Sequence, residues 1–404
     1  MATIDQIILA AGVLSLLAVF AGVASVRLGA PLLLGLIAVG MLAGQDGPGA
    51  IQFNNFYTGY LIGSVSLAVI LFQGGVATER WMLKSALWPA VCLATAGVAV
   101  SALVVAAAAR LVLGLTWPEG LLLGATVAPT DAAAVSVQLR VSGVGLPARV
   151  VGALELESGL NDPMSVFLTL ALVELMRRPG TFSAGAEALR FLREMGAGAA
   201  IGLGCGYLLL RVFRRLRIVR SALPLLALGC TLTVFGGAQI VGASGFLASY
   251  LTGVVVGNHE HPAAKPVTRF FETVGWLAQN SLFLMLGLLI TPHRLPPLLE
   301  PAAFVSAVLI VLARPLAVLL CLLPFGWRWR EMAFVAWAGL RGGVPIYLTI
   351  IPLLEGVAAG QRLFEIVFVV VIISVAAQAP TLGAVARLLG LRADGEAGAS
   401  RAAT

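Results

Sequence analysis

The chain has 404 residues, of which 59% are apolar and only 11% charged, and it carries a net charge of +7. That composition excludes an ordinary soluble domain, and the positive balance implies no nucleic-acid partner, because the basic residues are distributed as membrane topology distributes them. Apolar stretches of about 20 residues, long enough to cross a bilayer, recur from end to end and predict an all-α polytopic membrane protein.

In chain order, the first stretch (4–26) lacks a basic leader and a clear small-residue cleavage site, so it reads as a span rather than a signal peptide. The next five are 30–44, 58–77, 85–113, 119–139 and 147–176. A glycine-rich seventh follows at 194–213, then 220–239, 241–257, 268–290, 299–324, 329–354 and 360–389, which makes thirteen. The loops are short, so one transmembrane domain over 1–391 is expected, with a short cytoplasmic tail at 392–404. Cys92, Cys205, Cys230 and Cys321 all fall in apolar stretches without metal-ligand spacing and read as packing residues. His259, His261 and His293 fall in loops and read as surface histidines. The run Gly196, Gly198, Gly202, Gly204 and Gly206 has the small-residue character of close helix packing.

Basic residues concentrate in alternate loops, most densely at Arg211, Arg214, Arg215, Arg217 and Arg220. The positive-inside rule then places the N-terminus outside and the C-terminus in the cytoplasm of a plasma (inner) membrane protein. The loop over 177–193 is the exception, basic yet outside.

Two spans carry helix breakers beside polar residues. The fifth contains Pro129-Thr130-Asp131 and the twelfth Gly339-Leu340-Arg341-Gly342-Gly343-Val344-Pro345. Proline removes a backbone donor and glycine permits non-helical backbone. Irregular backbone at membrane depth is tolerated only against protein or a watery cavity. The two breaks, at Asp131 and Arg341, lie 210 residues apart and a similar interval separates the first span from the eighth, so spans one to six and eight to thirteen read as inverted repeats, each broken in its fifth helix. Paired discontinuous helices of this kind mark secondary transporters with a midplane site.

The sixth span supplies the chemistry. A buried carboxylate costs at least about 2.5–3.5 kcal/mol and calls for an ion, a proton or a partner. Ser158 and Asp162 are four residues apart and share a helix face, as do Glu157 and Asn161. One strip thus offers a hydroxyl, an amide and two carboxyls, a ligand set for a small hard cation. An aspartate in a partly dehydrated site also takes up a proton readily. A group that holds a cation or a proton, never both, is the minimum device for exchange. Thr130 and Asp131 begin the second half of the fifth helix, where Asp131 either caps the exposed N–H groups or joins the ion site. Arg314 and Arg341 are buried charges that need partners: Glu157 suits Arg314, and Asp131 or the half-helix ends suit Arg341. Pairing that only holds the fold explains both arginines. Glu155 stays open as a second buried acid or a residue facing a polar gap, and Glu174, Glu187 and Glu194 read as solvated charges. Neither an HExxH zinc motif nor a GxGD protease motif is present, which argues against an intramembrane enzyme. A passive cation channel is the rival transport reading.

Thr-Asp at the fifth-span break, Glu-Ser-Gly-Leu-Asn-Asp in the sixth, Ala-Arg-Pro in the eleventh and Gly-Leu-Arg-Gly-Gly in the twelfth resemble the monovalent cation/proton antiporter family of NhaP type. PTDAAAV and ESGLNDPM bring the chain near its potassium/proton, CvrA-like, branch. The resemblance spans nearly the whole chain. It implies an NhaA-like antiporter fold, a homodimer in the membrane lipid, no cofactor, and electroneutral exchange of K+ or Na+ for a proton. By motif, Asp162 is the carrier of a monovalent cation or a proton, Asn161 marks the Asn-Asp class, and Thr130, Asp131 and Ser158 join the ion site. Glu157 and Arg314 match the buried pair, and Arg341 the arginine at the crossing. Two features depart from the pattern. Gln73 stands in the third span where many relatives carry an acid. The potassium branch often continues into a cytoplasmic regulatory domain, and gating through one is not expected here.

Overall fold

The structure, a computed structural model, describes residues 4–28, 31–178, 180, 183–215 and 219–391. The tail expected at 392–404 and Arg217 lie outside the described residues. Among the described residues every regular element is helical. They are α1 (Ile4–Leu28), α2 (Leu32–Ala43), α3 (Phe56–Ala77), α4 (Arg80–Leu113), α5a (Trp117–Val127), α5b (Ala132–Val141) and α6 (Ala148–Arg177). After these come α7 (Ala184–Arg215), α8 (Leu223–Ile240), α9 (Gly245–Gly257), α10 (Ala264–Leu289), α11 (Pro296–Phe325), α12a (Trp329–Trp337), α12b (Gly343–Leu354) and α13 (Gly360–Leu388). Eight of these helices are long and apolar enough to cross a membrane, or nine when α5a and α5b count as one bent span. The helices α2, α9 and α12b are shorter apolar segments.

The helices pack as two sets. In one, α3 lies against α9 and α10, with α2, α7 and α8 around them and α1 outermost on α2. In the other, α6 packs on α4 and α5a, and α11 joins α4, α12a and α13. The sets touch where α6 and α12b meet α3, α9 and α10. In lipid there is no hydrophobic gain from pairing two apolar helices, so close contact depends on small residues. A Cβ on Gly40 would lie 2.8 Å from Gly287 Cα, so α2 and α10 cross backbone to backbone there. Of the glycines singled out in α7, Gly198 meets Ser244, which caps α9, and Gly202 and Gly206 meet Ala248 and Val255 of α9. Gly196 and Gly204 have nothing within 4 Å. The contact therefore uses the four-residue repeat 198, 202, 206, one helix face, and not the whole run.

Two local features escape sequence patterning. α4 and α11 each contain a π-helical segment, Leu93–Gly97 and Leu309–Ala313, and these segments lie where the two helices pack together. Such bulges re-aim the residues that follow them, and Arg314 follows the second one directly. In addition, Glu174, Glu187 and Glu194 are not separately solvated. They surround Arg190 at 2.6, 3.7 and 2.7 Å.

Candidate ion-binding site

The α5 break is set by Pro129 and bends the two halves by 43°. The α12 break runs over 338–342, where glycine makes room for charged neighbours. A Cβ on Gly339 would sit 2.7 Å from Arg314 Nε, and one on Gly342 would sit 2.9 Å from the Asp131 Cβ and Cγ. The breaks meet directly: Asp131 N donates to Leu340 O at 2.8 Å.

Each backbone group freed by a break needs a partner at this depth. The Arg341 Nη1 donates to Ala128 O and, at 3.0 Å, to Pro129 O, at the negative end of α5a. The side chain of Asp131 accepts from Ala134 N at 3.0 Å and caps the positive end of α5b. In α12, Trp337 O accepts from Gln378 Nε2 at 2.7 Å, and the Arg341 backbone N–H donates to Ser374 Oγ at 3.2 Å. Ser374 in turn donates to Gln378 Oε1 at 2.6 Å. Sequence reasoning did not single out Ser374 and Gln378. The available signal was a polar pair four residues apart in an otherwise apolar span.

The helix α6 runs past the crossing. Ser158 Oγ donates to Thr130 O at 2.9 Å and accepts from Ala132 N at 3.3 Å. Asn161 Nδ2 donates to Thr130 Oγ1 at 2.8 Å. Both Thr130 oxygens are thereby fixed against α6. Glu157 and Arg314 form a two-pronged pair through both guanidinium Nη atoms, one of them at 2.8 Å, and both residues are almost wholly buried. Arg314 Nη2 also reaches Val335 O at 3.4 Å. Arg341 makes no ion pair among the described residues. Its partners are the carbonyls, and Asp131 is engaged with its own helix.

Among the described residues, Asp162 is the buried acid left unmatched. It is 6% exposed, and its Oδ1 is buried without a hydrogen-bond partner, as is the neighbouring Asn161 Oδ1. Thr130, Asp131, Ser158 and Asp162 line one cavity of about 770 Å³ between the two helix sets. From this crossing the cavity runs past Gln73, Glu155, Arg140 and Glu272 toward the ends of α3 and α5b and the starts of α6 and α10. Gln73 has its amide against Gly275, which has no side chain to obstruct it. Chemically, the arrangement offers an unpaired carboxylate, hydroxyls and carbonyls on the wall of a largely apolar cavity that also carries Glu155, Arg140 and Glu272, beside a backbone crossing whose own charges are already neutralised.

The chain matches the family described as "Sodium/hydrogen exchanger, transmembrane" over residues 13–388. It is 43% identical over 398 residues to the K(+)/H(+) antiporter NhaP of Alkalimonas amylolytica, covering 98% of this chain and 69% of that protein. Against the K(+)/H(+) antiporter NhaP2 of Shewanella oneidensis the identity is 39% over 388 residues, covering 96% and 67%. Among solved structures, the sodium proton antiporter MjNhaP1 from Methanocaldococcus jannaschii superposes with a TM-score of 0.78 at 24% identity, covering 93% of this chain and 99% of that one. The chain therefore belongs to the sodium/hydrogen exchanger family, as a multi-pass membrane transporter and not an enzyme.

Proposed function

We propose that this protein exchanges a monovalent cation for a proton by alternating access, with Asp162 as the shared carrier and K+ favoured over Na+. One observation carries the reading: the Asp162 carboxylate stands partnerless on the cavity wall while Asp131, Glu157, Arg314 and Arg341 beside it are already engaged. The names of the relatives support the choice of K+. A single carboxylate that loses its proton to gain a monovalent cation suits one-for-one, electroneutral exchange. Thr130, Ser158 and Asn161 supply oxygen ligands directly or through water, Asp131 adds charge while capping α5b, and no cofactor takes part.

The architecture we infer is thirteen spans, with one to six and eight to thirteen as inverted repeats. It is supported by the matched breaks in α5 and α12 and by the matched π segments at 93–97 and 309–313. The N-terminus lies outside and the C-terminus in the cytoplasm, in an inner membrane homodimer that contributes to pH homeostasis. The basic outer loop fits this orientation, since Arg177 pairs with Glu355 and Arg190 with three acids, which cancels much of its charge. The cavity then faces the cytoplasm.

The test is exchange in proteoliposomes with Na+, K+ and Li+ compared, with and without a membrane potential. Cation-driven dequenching of a pH-sensitive dye is expected from the parent protein, insensitive to the potential and absent from the Asp162→Asn variant. Undiminished dequenching by that variant overturns the assignment of the carrier, and cation conductance without proton movement indicates a passive pathway.

A further inference from the structure

The cavity accounts for only one half of the membrane. On α6 it is lined by Glu155, Ser158 and Asp162, among others, and by no residue of that helix beyond Asp162. Yet the polar face continues. At 100° per residue, positions 155, 158, 162, 165 and 169 fall within about 80° of the helix circumference. The two positions past the carrier are Ser165 and Thr169, both fully buried in an apolar stretch. Their hydroxyl oxygens have no hydrogen-bond partner, not even the carbonyl four residues earlier that buried hydroxyls in helices ordinarily use. In this protein Ser64, Thr231, Thr252 and Ser306 all make that back-bond. Two orphaned hydroxyls in a row on the Asp162 face are a stability liability that packing alone does not explain.

Glu155, Ser158 and Asp162 on this face line the cavity between the two helix sets, and past Asp162 the same face continues at Ser165 and Thr169 into full burial. We infer that Ser165 and Thr169 line the opposite half of the transport path, closed in this structure. They become the hydrated, uncharged approach to Asp162 when the α6 set shifts against the α3 set. The inference rests on the antiport reading and extends it: the passage on the cavity side is acidic at Glu155 and Glu272, whereas the other side is lined by neutral hydroxyls.

The test uses single-cysteine variants in protein whose four native cysteines are replaced and whose exchange is retained: Thr169→Cys and, as the cavity-side control, Ser136→Cys, at a position on α5b that lines the cavity. A charged, membrane-impermeant methanethiosulfonate is applied to either face of oriented vesicles. The Ser136→Cys variant is expected to react from the cavity face. The Thr169→Cys variant is expected to react from the opposite face, faster during turnover, with loss of exchange. A Thr169→Cys protein that exchanges but stays inert, or reacts from the cavity face alone, overturns the inference and leaves the antiport reading standing. Absence of exchange in the parent protein strikes the antiport reading itself, and the inference falls with it. A second variant needs no labelling. Thr169→Val keeps the shape and removes an unpaired hydroxyl, so its melting temperature is expected to hold or rise while exchange slows. Undiminished exchange by Thr169→Val also overturns the proposal.

Discussion

Asp131 N donates to Leu340 O at 2.8 Å, so the two broken helices are joined backbone to backbone at their crossing. The bond shows what each charge there does. Asp131 and Arg341 do not pair with one another. Each neutralises an end of the α5 break, the carboxylate at the N–H end of α5b and the guanidinium at the carbonyl end of α5a.

Arg341→Ala strips Ala128 O and Pro129 O of their donor at a depth where no lipid replaces it. A loss of roughly 2–4 kcal/mol is expected from leaving such groups unpaired, read as a lower midpoint in thermal or denaturant unfolding in detergent. Arg341→Lys retains one charge, but the two carbonyls now served by the single Nη1 would have to be met by a compact, more strongly hydrated ammonium on a shorter, flexible stem, and an intermediate loss is expected.

Glu157→Gln leaves the Arg314 guanidinium buried without its counter-charge. Breaking a buried pair costs about 3–5 kcal/mol, while replacing both members by apolar groups is often close to neutral. The double variant Glu157→Leu/Arg314→Met is therefore expected to unfold nearer the parent than Glu157→Gln does. Measuring exchange on the same proteins separates the pair's contribution to the fold from any contribution to transport.

Gly202 and Gly204 lie two residues apart on α7 and face different surroundings. A Cβ at 202 would sit 2.6 Å from Ala248 O, whereas one at 204 meets nothing within 4 Å. Gly202→Ala is expected to destabilise by about 1–3 kcal/mol through forced separation of α7 and α9. Gly204→Ala is expected to be neutral or to stabilise by about 0.5–1 kcal/mol, because alanine loses less backbone freedom in a helix. Parallel melts of the two variants check the pair.

His261 stacks on Phe213 with ring centroids 5.0 Å apart, in the loop between α9 and α10. Burial, with the nearby Arg214 and His259 charges adding to it, holds its imidazole below the ordinary value of 6.5. A depressed value means that the unfolded chain binds the proton more readily. The stabilising contribution is complete above pH 6.5 and is lost as the pH falls through the lower folded-state value. His261→Phe keeps the stack and removes the proton site. Its melting temperature is expected to fall less than that of the parent between about pH 7 and pH 5, and identical slopes would exclude this role.

Much of the plan was legible in the sequence because it depends on local rules. Apolar stretches of spanning length, the proline and glycine breakers, and the spacing of Ser158, Asn161 and Asp162 on one helix all follow from composition and the helical repeat. The Glu157–Arg314 pairing could be anticipated because few buried acids were available to choose from. The partners of Arg341 were a different matter. Two candidates suited its charge, and only the approach of α5a to the α12 break selected the carbonyls of Ala128 and Pro129 over Asp131. Ser374, Gln378 and the choice among the α7 glycines depended likewise on which helix lay opposite.

The sequence by itself thus determined a helical membrane transporter with carboxylates inside its apolar spans. A buried charge in a 20-residue apolar span is costly whatever surrounds it, and so it is informative without coordinates. Only the tertiary structure decided which of the two acids stays unpaired. Asp131 and Asp162 are alike as residues, but one meets the start of its own helix and the other the wall of a cavity, and that contrast arises from segments far apart in the chain.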